Sequence, residues 1–202
     1  MLFRSPWRRQ RWIPDALVDD QSTDASTLMF VGRTVERAAV DEAFARAAAG
    51  DRGALRVVGA PGIGLSRFLR AAASGHPAHG TSGDEYQSAT AYAPMRSLLS
   101  SMLGIDADSP DAAGQALADL VGERAPSLLP WLPLIAIVLD VPAEPTPEVA
   151  ALAPEFRRAR LESSVIDLVR AVLDAPAMIV VDDAHLLDES SLSLLTALAA
   201  AP

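Results

Sequence analysis

The chain contains no cysteine and no lysine, and all of its 17 basic residues are arginine. Without cysteine there is no disulfide framework and no thiolate metal site. Only three histidines are present (His76, His79 and His185), and no H-E-x-x-H pattern appears. That argues against zinc hydrolysis. Positive charge is short overall: the formal net charge is −9, so bulk electrostatics do not draw the chain to nucleic acid. Long hydrophobic runs are also lacking. The most apolar stretch, Leu128 to Val141, is too short to span a bilayer and contains Pro130 and Pro133. It reads as a buried, proline-broken helix. Arg4, Arg8, Arg9 and Arg11 open the chain, but no apolar stretch follows them, so neither a secretory nor a twin-arginine signal is expected. These absences make a cytoplasmic location the expectation, with no membrane contact.

What is present is a globular composition, with half of the 202 residues apolar, enough for one substantial core. Abundant alanine together with the missing lysine fits a GC-rich coding bias. The most informative stretch is Val57-Val58-Gly59-Ala60-Pro61-Gly62-Ile63-Gly64-Leu65-Ser66-Arg67. It reads as a strand, a glycine-rich turn and a helix start, the layout of the phosphate-binding loop G-x-x-x-x-G-K-[ST]. Gly59, Gly62 and Gly64 permit backbone conformations that let amides curl around an anion. The helix beginning near Leu65 points its positive end at the same place. Ser66 holds the hydroxyl position, suited to a magnesium ion that bridges phosphates. The lysine position is Leu65, which supplies no charge. Arg67 is the nearest cation, but two positions on it faces another side of the helix. A plain glycine turn between a core strand and a core helix is the alternative.

Along the chain, residues 1–27 read as a tail, with Trp7 and Trp12 among arginines and then Asp19, Asp20 and Asp24. It is a disordered start or a short basic-aromatic contact site. Glu36 to Ala49 has a helical apolar stripe (Val35, Ala39, Val40, Ala43, Phe44, Ala47) and ends at Gly50. Ala54 to Val58 read as a strand, and Ser66 to Ala73 as a helix. Residues 75–86 read as a loop around a short strand. Further helices are expected from about Ala93, over Ala112 to Val121, and over Phe156 to Leu173. Arg157, Arg158 and Arg160 on the last can touch a nucleotide or partner, or simply face solvent. Ala177 to Val181, ending in Asp182-Asp183, is a continuous apolar run of the kind found in a buried parallel strand. Its acids then fall at the C-terminal edge, where open α/β sheets bind ligands. Asp188 to Ala201 close as a helix.

Paired with Ser66, this strand points to a magnesium–nucleotide site. Magnesium needs a carboxylate beside the loop hydroxyl, and Asp182 is suited to hold it through water. Asp183 can orient or deprotonate an attacking water. His185 can sense the terminal phosphate or cap the next helix.

The ordered set of motifs resembles the STAND-type ATPases, AAA-related modules of large bacterial regulators and cyclase-like proteins. Phe30-Val31-Gly32-Arg33 with Glu36 resembles their F-V-G-R-x-x-E entry. Gly59 to Ser66 resembles their loop. Ala91-Tyr92-Ala93-Pro94-Met95-Arg96-Ser97-Leu98-Leu99 resembles P-Y-x-P-[LF]-R-x-L-L. Val180 to Asp188 resembles h-h-D-D-[AL]-H-W-[AL]-D, with Leu186 in place of tryptophan. The resemblance covers about residues 28–202. It implies a P-loop NTPase fold: an α/β parallel sheet flanked by helices, truncated after the Walker B strand and its helix. In the family the next strand lies between the Asp-Asp strand and the loop strand, and this sequence ends before it. The loop strand and the Asp-Asp strand would then pair directly or leave buried backbone groups unpaired. A fragment, a truncated product or a degenerate paralogue would each account for that ending.

The resemblance further implies ATP and magnesium as cofactors. Gly32 and Arg33 would lie near the base. Gly59, Ala60, Pro61, Gly62, Ile63, Gly64, Leu65, Ser66 and Arg67 would lie at the phosphates. Ser66 and Asp182 would hold the metal, with Asp183 catalytic. The expected function is an ATP-binding switch with slow hydrolysis; the alternative is a non-catalytic regulatory remnant. A regulatory protein or a second copy is the expected partner. No helix-turn-helix signature and no basic face appear, so direct nucleic-acid binding is not expected.

Overall fold

The computed structural model describes residues 32–51, 53–86 and 89–201. The expected tail and the Phe30-Val31 pair lie outside them. Within them, a two-stranded parallel sheet carries helices on both faces. Strand β1 (Ala78–Ser82) pairs with β2 (Met178–Asp182) in the register Ala78 to Met178 and Ser82 to Asp182. The short strand expected in 75–86 is therefore β1, and it is β1 that lies against the Asp-Asp strand.

Successive side chains of a strand point to opposite faces. Met178 packs into a small cluster with Val40, Phe68, Leu69 and Ala72, while Ile179 packs against the main core. One face of the sheet is thus covered by α1 (Thr34–Ala48) and α2 (Leu65–Ala73). The other meets α3 (Ala93–Leu103), bound to β1 through Thr81 Oγ1, which donates to the Pro94 carbonyl at 2.6 Å, and through the 2.9 Å His79–Ser101 hydrogen bond.

Behind α3 lies a helical body. It contains α4 (Pro110–Arg124), a 3-10 turn (Pro126–Trp131), α5 (Leu132–Leu139), α6 (Pro147–Ala151), α7 (Pro154–Val172) and α8 (Glu189–Ala200). Pro126, Pro130 and Pro133 explain the first break: a proline lacks the N–H that a continuing α-helix needs. The remaining apolar residues still bury, and Ile135 and Val138 are fully covered. Met95, Leu98 and Leu99 of α3 and Val165 and Leu168 of α7 meet them in one core. Ser109 and Thr146 cap α4 and α6 through their hydroxyls.

One expected element is absent. Residues 54–58 form no strand and are exposed, with Val58 72% accessible. An apolar segment becomes a strand only with a neighbour to take its backbone hydrogen bonds. β2 is paired with β1, and no third strand occurs among the described residues.

Candidate functional site

The glycine loop makes the turn that its residues allow. Gly62 and Gly64 take φ of 78° and 83°, a region closed to most side chains, and Ile63 N–H closes on the Ala60 carbonyl at 3.2 Å. Gly64 then opens α2: its carbonyl accepts the first helical bond, from Phe68 N–H, at 2.9 Å. Loop and helix start are thus joined as the motif requires.

The inside of the turn is apolar. A Cβ at Gly59 would lie 2.8 Å from Ile63 Cγ2 and 3.3 Å from Leu65 Cδ2. Leu65, in the lysine position, therefore turns back over Gly59. Gly59 leaves room for this, and any larger residue would collide with Ile63. Ser66 is half-buried beside it, and its carbonyl accepts from Arg70 Nε at 3.3 Å. Arg67 is exposed, on another side of α2 from Leu65.

Gly32 and Arg33 enter α1 with positive φ, 92° and 49°. This aims the Arg33 guanidinium at the loop, where Nη2 donates to the Ile63 carbonyl and the charge lies 5.7 Å from the Phe68 ring centre. The entry motif and the phosphate loop, 30 residues apart, are thereby joined. No motif spacing encodes this bond, so it is not legible in the sequence.

At the sheet's edge, Asp182 is buried and closes β2. It shares the face of Met178 and Val180, which is the face that α1 and α2 cover. Its Oδ1 accepts from Asp183 N–H at 3.0 Å. Asp183 is exposed and left-handed, φ 45°, and starts a 3-10 turn over Ala184–Leu186. Gly83 makes this turn possible: its N–H donates to the Asp182 carbonyl at 3.0 Å, and a Cβ there would sit 2.4 Å from the Asp183 carbonyl oxygen. Residues 74–77 turn the chain from α2 into β1, so α2 runs back along the sheet. Among the described residues Ser66 makes no hydrogen bond to either acid, and no three acidic or histidine side chains gather as a metal cluster.

His185 lies exposed in the 3-10 turn and is not the cap of α8. That role belongs to Asp188, whose Oδ1 accepts from Ser191 N–H at 2.9 Å and from Tyr92 N–H at 3.3 Å. Burial alone would raise the Asp188 pKa, but the Ser191 hydroxyl and these N–H groups hold it below the usual value. Asp188 thus ties the motif around Tyr92 to the motif around Asp182. The arginines of α7 have structural partners: Arg158 pairs with Glu162 and Glu189, and Arg160 stacks over Trp131 at 4.0 Å.

A family model described as the AAA ATPase domain matches residues 29–202. The chain belongs to the AAA ATPase domain family. It is an ATPase-type, nucleotide-binding module of P-loop class, and its small parallel sheet flanked by helices fits that fold. No curated protein and no solved structure matches the chain. No helix among the described residues is long and apolar enough to cross a membrane.

AAA ATPase domains generally bind ATP with magnesium. The backbone of this domain fits the anionic part of such a ligand, since the turn over Gly62 and Gly64 leads directly into the start of α2. The side chain at the lysine position does not: Leu65 is hydrocarbon packed on Gly59.

Proposed function

We propose that residues 28–202 form a nucleotide-binding module of STAND type, acting in the cytoplasm as a regulatory switch. Residues 1–27 would precede it as a tail. The observation that carries this reading is the left-handed glycine turn running directly into α2, in a chain whose second strand closes on Asp182 with Asp183 following it. Backbone N–H groups of the loop between Gly59 and Ser66, other than Pro61, which has none, and Ile63, which donates to Ala60, would hold the phosphates. Ser66 and Asp182 are suited to magnesium, which when bound would neutralise charge between phosphate oxygens. Asp182 has one oxygen fixed by Asp183 N–H, which leaves the other for a metal-bound water. Asp183 stands exposed beside it, where a carboxylate can accept a proton from water.

Leu65 bears on both phosphate affinity and hydrolysis. A lysine reaches the outer phosphates, whereas loop amides cradle the inner ones. Losing one partner of a desolvated charge pair costs about 2–5 kcal/mol of affinity, so Leu65 should remove most of the affinity for the outer phosphates and leave hydrolysis slow at best. The second reading, a regulatory remnant that binds a protein or a second copy without turnover, is favoured by the Leu65–Gly59 contact alone.

Titrating a fluorescent ADP or ATP analogue with magnesium into the purified chain and its Leu65→Lys variant separates the two. Binding by both supports the switch. Binding by the variant only supports the remnant. No binding by either folded protein would rule out the nucleotide reading.

A further inference from the structure

We propose that Arg33, expected from the sequence near the base, instead supplies the positive charge that the phosphate loop lacks at Leu65, so that the module recognises nucleoside polyphosphates through an arginine outside the loop. The inference rests on the nucleotide-binding reading above and deepens it.

Arg33 is held beside the loop by three separate features. Its own backbone is left-handed, with φ 49° and ψ 42°, a conformation uncommon for a side chain of this size. Its guanidinium donates to the carbonyl of Ile63, two residues before Leu65. The same group lies 5.7 Å from the centre of the Phe68 ring, one turn into α2, as a cation over an aromatic face. The charge is thus held between the loop and the first turn of the helix that the loop opens. A guanidinium carries five donors in a planar fork and suits phosphate oxygens, so the bond to Ile63 leaves most of them available. A short swing of the long side chain carries the group from a loop carbonyl to a phosphate on the loop amides. The other cations beside the loop are less well placed: Arg70 is turned onto the Ser66 carbonyl, and Arg67 lies on another side of α2.

A purely structural Arg33 would pin the loop and affect every nucleoside ligand alike. An Arg33 that meets phosphate affects ligands in proportion to their phosphates. The test is a double-mutant cycle between Arg33→Gln and Leu65→Lys, read by magnesium-dependent binding of adenosine, AMP, ADP and ATP. Arg33→Lys is included to keep the charge, and circular dichroism confirms that each variant folds. The expected result is that Arg33→Gln weakens ADP and ATP about tenfold or more, the scale of one lost charge-assisted contact. Adenosine should change little, Arg33→Lys should keep most of the affinity, and the loss should shrink in the Leu65→Lys background. An equal loss for all four ligands, or a loss equally large with Leu65→Lys, would overturn the proposal. Binding by Leu65→Lys alone would overturn the proposal and favour the remnant over the switch, whereas an equal loss for all four ligands would leave the nucleotide reading standing. No binding by any variant would overturn both together.

Discussion

The helical body and the loop region are built from the same alanine- and leucine-rich alphabet, yet they use it in opposite ways. In the body, α3, α5 and α7 bury Met95, Leu98, Leu99, Ile135, Val138 and Leu168 with almost no exposure. In the loop region, every described residue from Asp51 to Gly64 is exposed, and the attachment of α1 and α2 rests on a cluster of three buried residues, Val40, Phe68 and Ala72. The contrast shows where each region gets its order. Packing fixes the body. Backbone geometry and one arginine contact fix the loop.

The largest effect should come from the body. Leu98→Ala opens a cavity at a fully buried site and should cost about 2–5 kcal/mol, read by urea unfolding. Leu65→Lys in the loop should change stability by no more than about 0.5 kcal/mol in the same assay, because Leu65 is only half-buried. Comparable losses from the two would erase the distinction.

The Asp188 bridge should come next. Asp188→Ala removes the α8 cap and the Tyr92 contact together, and should cost about 1–2 kcal/mol. Its pKa is lowered in the fold, so its contribution is present at neutral pH and is lost as the pH falls through the folded value. A variant that unfolds like the parent at pH 7 but differs at pH 3 would contradict this sign.

The smallest effect should be at His79. Burial lowers its pKa, so the folded chain keeps the imidazole neutral where the unfolded chain takes a proton. Stability should hold above about pH 6.5 and decline as the pH drops below it. His79→Gln should flatten that decline in unfolding curves at pH 8, 6 and 5. A steeper decline in the variant would reverse the assignment.

Much of the body was legible in the sequence because its helices carry their own signals. The apolar spacing over Ala112 to Val121 marks α4, which the structure extends to Pro110–Arg124 with Ser109 as its cap, and the apolar spacing of α7 shows its buried side. The strand ending in Asp182-Asp183 was equally plain from its continuous apolar run. The segment Ala54 to Val58 has the same local character, but strand formation depends on a neighbour, which composition does not reveal. In the site, the glycine turn was readable because positive φ demands glycine at Gly62 and Gly64. The left-handed Arg33 and its bond to Ile63 were not, since a contact across 30 residues leaves no local pattern. Nor was the return of Leu65 over Gly59, which depends on a side-chain direction rather than on spacing.

If the turn over residues 59–66 is the proposed nucleotide cradle, hydrogen exchange at its amides should respond to saturating magnesium-ATP while the helical body does not. Exchange should slow at the loop amides between Gly59 and Ser66 and stay unchanged in α3, α5 and α7. Unchanged exchange in the loop, or protection spread evenly through the body, would contradict that reading.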